Sequence, residues 1–335
     1  MRWMAIAALA LFAGGCGRHE PLREGQQRSG LYLVRQNGRA GFVDSSGRVR
    51  IPPQFDEAAP FSDGLAVVAI GGRAGYIDST GRIVINPQFE AASPFSEGIA
   101  AVRSGGAWGF IDHGGKMVIA PRFQPGGPGP MLFSEGLAAV SGGVEGPPRA
   151  GYIDKQGRFA INSQFDFAAP FSDGLALVGL GGRYGYIARD GRFVINPQFD
   201  RARSFFEDRA AVYSAGQWGF VNRAGTMVIK PQFDQARDFS GGLAMVALGN
   251  HIGFVDPNGK LVINPQYDAA GDFSGGRAPV RVNGRWGYID KSGNFAIQPR
   301  FDDARPFSLD LAPVEVGAGW GYVDRNGKVI WNPSA

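Results

Sequence analysis

A Gly followed by Phe or Tyr and then Val or Ile returns nine times along this chain, at Gly41, Gly75, Gly109, Gly151, Gly185, Gly219, Gly253, Gly287 and Gly321. Successive intervals are 34, 34, 42, 34, 34, 34, 34 and 34 residues. A fixed period means that one supersecondary unit has been copied, and a unit this small buries its core only against its neighbours. The period also bounds function. An active site gathers unlike groups at one point, whereas an array of near-identical units presents a surface.

A period of 34 also suits helical tetratricopeptide pairs. The copy beginning at Gly253 excludes them: breakers fall at Pro257, Gly259, Pro265, Gly271, Gly275, Gly276, Pro279 and Gly284, with no more than five residues between one and the next. A helix pair needs two uninterrupted stretches of about ten residues. The 52 glycines fit a chain of many tight turns instead.

Three short strands emerge per copy. Strand A reads Leu65 to Val68, Leu175 to Val178 and Leu243 to Val246. Strand B is Gly75 to Asp78 and its equivalents, and strand C is Ile83 to Ile85, Phe193 to Ile195 or Leu261 to Ile263. Asp-x-x-Gly joins B to C from Asp44, Asp78, Asp154, Asp256, Asp290 and Asp324. An Asp carboxylate accepts from the backbone two residues on and Gly tolerates positive φ, so this is a hairpin turn. After strand C a connector carries Phe at positions 61, 95, 133, 171, 205, 239, 273 and 307, one plug per junction between copies.

Strands A and C read as apolar on both faces, which implies covered sheets stacked about 10 Å apart. Arg50 in strand C of the first copy reads as the wet outer face of a capping unit, and Pro279 and Pro313 read as marks of an edge strand. The expectation is an all-β tandem array of nine three-stranded antiparallel units across 31–335, in an open superhelical stack; a closed β-propeller is the alternative.

Trp108-Gly109-Phe110-Ile111-Asp112, Trp218-Gly219-Phe220-Val221, Trp286-Gly287-Tyr288-Ile289-Asp290 and Trp320-Gly321-Tyr322-Val323-Asp324 resemble the WG, or KWG, repeat family. That resemblance spans about Leu31 to Pro333 and implies a β-rich repeat domain used for interaction, with no catalytic residues to carry over. The Trp position is Ala40, Ala74, Ala150, Tyr184 or Ile252 in the other copies, which favours packing over a ligand platform.

The first residues stand apart. Arg2 precedes an apolar run from Met4 to Ala13, too short to span a membrane and suited to a secretory signal over 1–15. Ala13-Gly14-Gly15-Cys16 resembles a bacterial lipobox, which implies diacylation of Cys16 and, with Gly17 following, the periplasmic face of the outer membrane. Residues 16–30 then form a polar tether, and the membrane is met through lipid alone. Cys16 is the only cysteine, so no internal disulfide or thiolate metal site is expected. His19, His113 and His251 are scattered, and no metal or cofactor motif occurs. The formal charge of +4 is too small and too spread for nucleic-acid binding.

Two charge ladders keep repeat register. Arg39, Arg73, Arg149, Arg183 and Arg285 stand two residues before the repeat Gly; Asp56, Glu90, Asp166, Asp200, Asp234, Asp268 and Asp302 follow the first connector aromatic. Such ladders end either in ion pairs of small worth or in a multivalent Arg ridge. The long interval adds segments 124–130 and 142–149, which are candidate specificity loops. The expected function is a lipid-anchored, exported binding or scaffolding module, not an enzyme. Its partner would be an envelope protein or an anionic envelope polymer. A cell-envelope hydrolase using a carboxylate pair is the alternative.

Overall fold

The computed structural model describes residues 29–142, 149–317 and 319–332, so the signal segment, Cys16 and most of the tether lie outside the described residues. Every regular element among the described residues is a β-strand. The chain divides into two compact units, Met1–Phe171 and Ser172–Ala335. The same small antiparallel sheet is repeated through both.

A full copy has four strands, not three. In the second copy Glu57–Ala58 pairs with strand A (Ala66–Ile70), A with B (Arg73–Ile77) and B with C (Ile83–Phe89). The added strand is the connector itself, registered by Glu57 opposite Ala69 and Ala58 opposite Val68. Two residues are too few to show alternation, so only pairing reveals it. The first sheet, Leu31–Gln36, Arg39–Asp44 and Val49–Phe55, has three strands.

The repeat Gly has a steric cause. Strand C bulges beside it, with register shifts on both sides of Tyr76. A Cβ on Gly75 would lie 2.5 Å from the Ile85 carbonyl oxygen and 2.6 Å from Pro87 N. The same backbone crossing recurs at Gly41, Gly151, Gly185, Gly253 and Gly287. These glycines are chosen for absence of bulk rather than for backbone freedom.

The aromatic after each Gly also has a fixed partner. The ring pairs are Phe42 with Phe61 at 4.8 Å, Tyr76 with Phe95 at 4.8 Å, Tyr186 with Phe205 at 4.7 Å and Phe254 with Phe273 at 4.9 Å. Each connector Phe therefore plugs the core of the copy before it, as expected from the sequence. Serines bolt the same junctions: Ser62 Oγ donates to the Phe95 carbonyl at 2.7 Å and Ser240 Oγ to that of Phe273 at 2.6 Å. Cores consequently draw on two consecutive copies, as in the cluster of Phe42, Ile51, Phe55, Phe61 and Val68.

Two expectations about strand faces are corrected. Strand C is not covered on both faces. It is the edge strand of each sheet except at the long interval, and it begins with exposed apolar residues, such as Val84 at 38%, Val118 at 42% and Val262 at 40%. Arg50 occupies that same exposed position, so it marks no special capping face. Strand A is not an edge at Pro279 or Pro313 either, because it lies between the connector strand and B. Proline fits because the connector draws only on its carbonyl: Gly271 N donates to Pro279 O at 2.9 Å and Arg305 N to Pro313 O at 2.9 Å. At the long interval strand C runs on as Met117–Pro125, and Gln124 and Pro125 pair with Ser141 and Val140 in place of a connector strand.

The B–C turns behave as their chemistry requires. Asp78 Oδ1 accepts from Thr80 N at 3.0 Å and Arg82 N at 3.1 Å, and Gly81 has φ 86°. Asn222 repeats this with Ala224 N and Thr226 N at 3.1 and 2.9 Å. The Thr80 hydroxyl and then the backbone amides hold the Asp78 carboxyl below its ordinary value of 3.8. A depressed carboxylate adds stability above the unfolded pKa and loses it as pH falls through the lower folded one. On acidification from pH 5 to pH 2, Asp78→Asn should therefore lose less melting temperature than wild type, because the amide keeps the turn without titrating. Parallel acid losses in both proteins would show that this carboxylate plays no part.

Candidate functional site

The structure brings the two charge ladders together. Arg39 pairs with Asp56, Arg149 with Asp166, Arg183 with Asp200 and Arg285 with Asp302. The second carboxylate oxygen reaches into the next copy: Asp56 Oδ2 accepts from Gly71 N at 2.7 Å and Asp302 Oδ2 from Gly317 N at 2.7 Å. Asp56 and Asp302 thus clasp the A–B turns of consecutive copies. Arg73 departs from the pattern and donates to the Gln88 carbonyl at 3.5 Å, while Glu90 lies 3.7 Å from Arg103. The pairs are about half exposed, so each is worth roughly 0–1 kcal/mol. All five arginines are exposed, and four of them face carboxylates.

The Trp residues are mainly packing. Trp108 is buried in a core with Phe110, Ile119 and Phe133, while Trp218 and Trp286 flank similar cores. The Pro/Gly loop from Pro125 to Leu132 folds over Ala139, Ala168 and Pro170 to enclose a small pocket. Of the second candidate loop, residues 143–148 lie outside the described residues.

The most distinctive chemistry lies at two positions that sequence reading passed over, the pair just before the second connector Phe. In the first unit they are Ala59-Pro60, Ser93-Pro94, Met131-Leu132 and Ala169-Pro170; in the second they are Arg203-Ser204, Arg237-Asp238, Gly271-Asp272 and Arg305-Pro306. The signal was in the repeat alignment, as a change from small or apolar to charged at one register. Arg203 lies over the Trp218 ring at 5.7 Å and Arg305 over Trp320 at 5.0 Å. Tyr186 Oη donates to the Arg203 carbonyl at 2.7 Å and Tyr288 Oη to that of Arg305 at 2.9 Å, which fixes the connector backbone. Arg237 Nη1 approaches Asp272 Oδ2 at 3.7 Å. Burial pushes the Asp272 carboxyl above its ordinary value, against the pull of Arg237 and Arg203. No cluster of three or more His, Cys, Asp or Glu suited to a metal occurs among the described residues.

Bulged strand crossings, aromatic plugs and inter-copy clasps define an all-β tandem-repeat protein. The model of the WG containing repeat family matches residues 41–73, 75–106, 108–124, 151–184, 184–216, 218–250, 252–286 and 286–318, and the chain belongs to that family. No curated protein matches the chain. Among solved structures, the fold is shared with one described as the crystal structure of the eukaryotic initiation factor: 10% identity, TM-score 0.58, covering 90% of this chain and 94% of that one. The overlap is looser with BamB from Moraxella catarrhalis, at 12% identity and TM-score 0.43 over 80% of this chain and 93% of that one. It is also looser with Hsv2p from Kluyveromyces lactis, at 11% identity and TM-score 0.41 over 68% and 89%.

Proposed function

We propose that the chain is a lipid-anchored, exported binding or scaffolding module of the cell envelope. One observation carries the binding reading. The polar groups common to the copies are spent on structure within and between copies: turn aspartates on their own hairpins, connector carboxylates on Arg and the next turn, serines on the next Phe carbonyl. What differs between copies is left for recognition. The ladder carboxylates stand one per copy, and Asp56, Glu90, Asp166, Asp200, Asp234 and Asp302 each answer an Arg or a backbone amide, which is not the arrangement of an acid–base pair in a cleft. The envelope reading rests on the lipobox-like residues ending at Cys16, and the partner is an envelope protein or an anionic envelope polymer held by many weak contacts.

Replacing Cys16 by Ser should move the folded protein from the membrane fraction to the soluble exported fraction. A variant as membrane-bound as wild type after a salt wash would end the anchor reading. Crosslinking in native envelopes should then recover a defined partner set. That set should shrink when Arg39, Arg149, Arg183 and Arg285 are neutralised together, or when the long interval is trimmed to the 34-residue register. An unchanged set in both variants would exclude both surfaces.

A further inference from the structure

We infer that the second unit docks a carboxylate from outside the chain, an acidic side chain of a protein partner, on the Lys291 ammonium and the Gly276 amide. The first unit holds the same arrangement filled from within. There Glu97, on the turn from connector to strand A, accepts from Gly136 N of the next copy at 3.0 Å. Its carboxylate also lies 3.3 Å from Lys155 Nζ, on the B–C turn of that next copy. Gly241, Gly276 and Lys291 stand at the registers of Glu97, Gly136 and Lys155 once the long interval is allowed for. Both donors are kept, and the carboxylate is replaced by a hydrogen.

The backbone does not ask for that glycine. Its φ is 63°, and Asp63, Glu97 and Glu207 take the same register at 49°, 55° and 51°. Asp63 reaches Gly98 N at 2.9 Å and Glu207 reaches Gly242 N at 2.8 Å, so a carboxylate here has a job: to clasp the next turn. A Cβ on Gly241 would lie 3.9 Å from Lys291 Cε, so a side chain at 241 would start beside that lysine. Among the described residues, the Lys291 ammonium and Gly276 N have no hydrogen-bond or ion-pair partner. Lys291 is exposed, and an incoming group needs no cavity to reach it.

The two donors select the ligand. An ammonium and an amide that meet one carboxylate in the first unit form charge-assisted bonds with another of the same shape. Glu207 on Gly242 N does not bar the place, because Asp63 on Gly98 N stands in the same relation to Glu97. The following copy offers no second opening. At Gly275, which also lacks the carboxylate, the Arg325 guanidinium is spent on the carbonyls of Gly275 at 2.6 Å and Leu309 at 2.8 Å. One exposed contact of this kind is worth little alone and gains strength from others on the same partner. The docking point thus rests on the binding reading above, though not on the lipid anchor.

Carbodiimide coupling, which joins a carboxylate to an amine it touches, tests the site on detergent-solubilised full-length protein. The probes are an end-capped Gly-Gly-Glu-Gly-Gly peptide, its Gln counterpart and polygalacturonate. The Glu peptide should link to Lys291 about five-fold more than to the exposed Lys116, Lys230, Lys260 or Lys328, and the Gln peptide should not link. Gly241→Glu should cut the link at Lys291 by about five-fold or more, because it supplies the carboxylate in cis. Glu97→Gly should do the reverse and open Lys155 to the peptide. Retained near-UV circular dichroism shows that both variants are folded. Even labelling of the lysines overturns the proposal, as does an undiminished link at Lys291 in folded Gly241→Glu. Polygalacturonate linking to Lys291 where the peptide does not would overturn the assignment to a protein. A protein that fails these tests yet keeps its partner set in native envelopes loses this docking point alone; with no partner set at all, the binding reading itself falls.

Discussion

Gly287→Ala should be among the most damaging single-methyl additions available to this protein, lowering stability by about 3 kcal/mol or more. A Cβ there would sit 2.5 Å from the Ile297 carbonyl oxygen, 2.7 Å from Pro299 N and 2.9 Å from the Gln298 carbonyl carbon. All three are backbone atoms of the bulged strand C, so no side chain can swing aside. Relief requires moving the strand, which would pull Ile297 and Phe301 from the core they share with Tyr288. Gly114→Ala is the matched control, since its Cβ would meet only the Asp112 side chain at 3.4 Å. Urea unfolding of the two variants should separate widely. Similar midpoints would mean that the repeat Gly is retained for some reason other than this crossing.

Phe205→Ala should cost about 3–5 kcal/mol, the range for deleting a buried aromatic side chain. Phe205 is wholly buried and meets the Tyr186 ring at 4.7 Å in an edge-on contact. It plugs the preceding copy from the connector, so its loss would open a cavity at the junction. Phe205→Leu should recover more than half of the loss, because Leu refills most of the apolar volume that Ala leaves empty. A loss below about 1 kcal/mol for the Ala variant would show that the connector ring is not part of the core.

The period, the Asp-x-x-Gly turns and the plugging role of the connector Phe were all legible in the sequence, because each rests on a local rule repeated many times. The connector strand was not, since Glu57–Ala58 is defined by what it pairs with. Strand C misled for a different reason. Ile83 and Val84 look like core residues but sit on an edge where the chain bears exposed apolar side chains in copy after copy. The Arg and Asp ladders were visible as ladders; that they meet, Arg39 to Asp56 and Arg183 to Asp200, depends on the 17-residue path between them folding back. The charged residues at 203, 237, 238 and 272 do not stand out from the repeat pattern, because that pattern is made of what the copies share. The informative residues were the ones by which the second unit breaks its own rule.

The aromatic plugs also dictate an order of events as the chain is made. Phe42 waits for Phe61, Tyr76 for Phe95 and Phe254 for Phe273, each 19 residues further on. A newly emerged copy thus cannot close its own core, and it is sealed by the beginning of the next. Assembly proceeds like a zip running from the first copy to the last, with one half-finished unit exposed at the growing end at any moment. A chain halted midway would expose one unsealed core, regardless of how many copies had already been completed behind it.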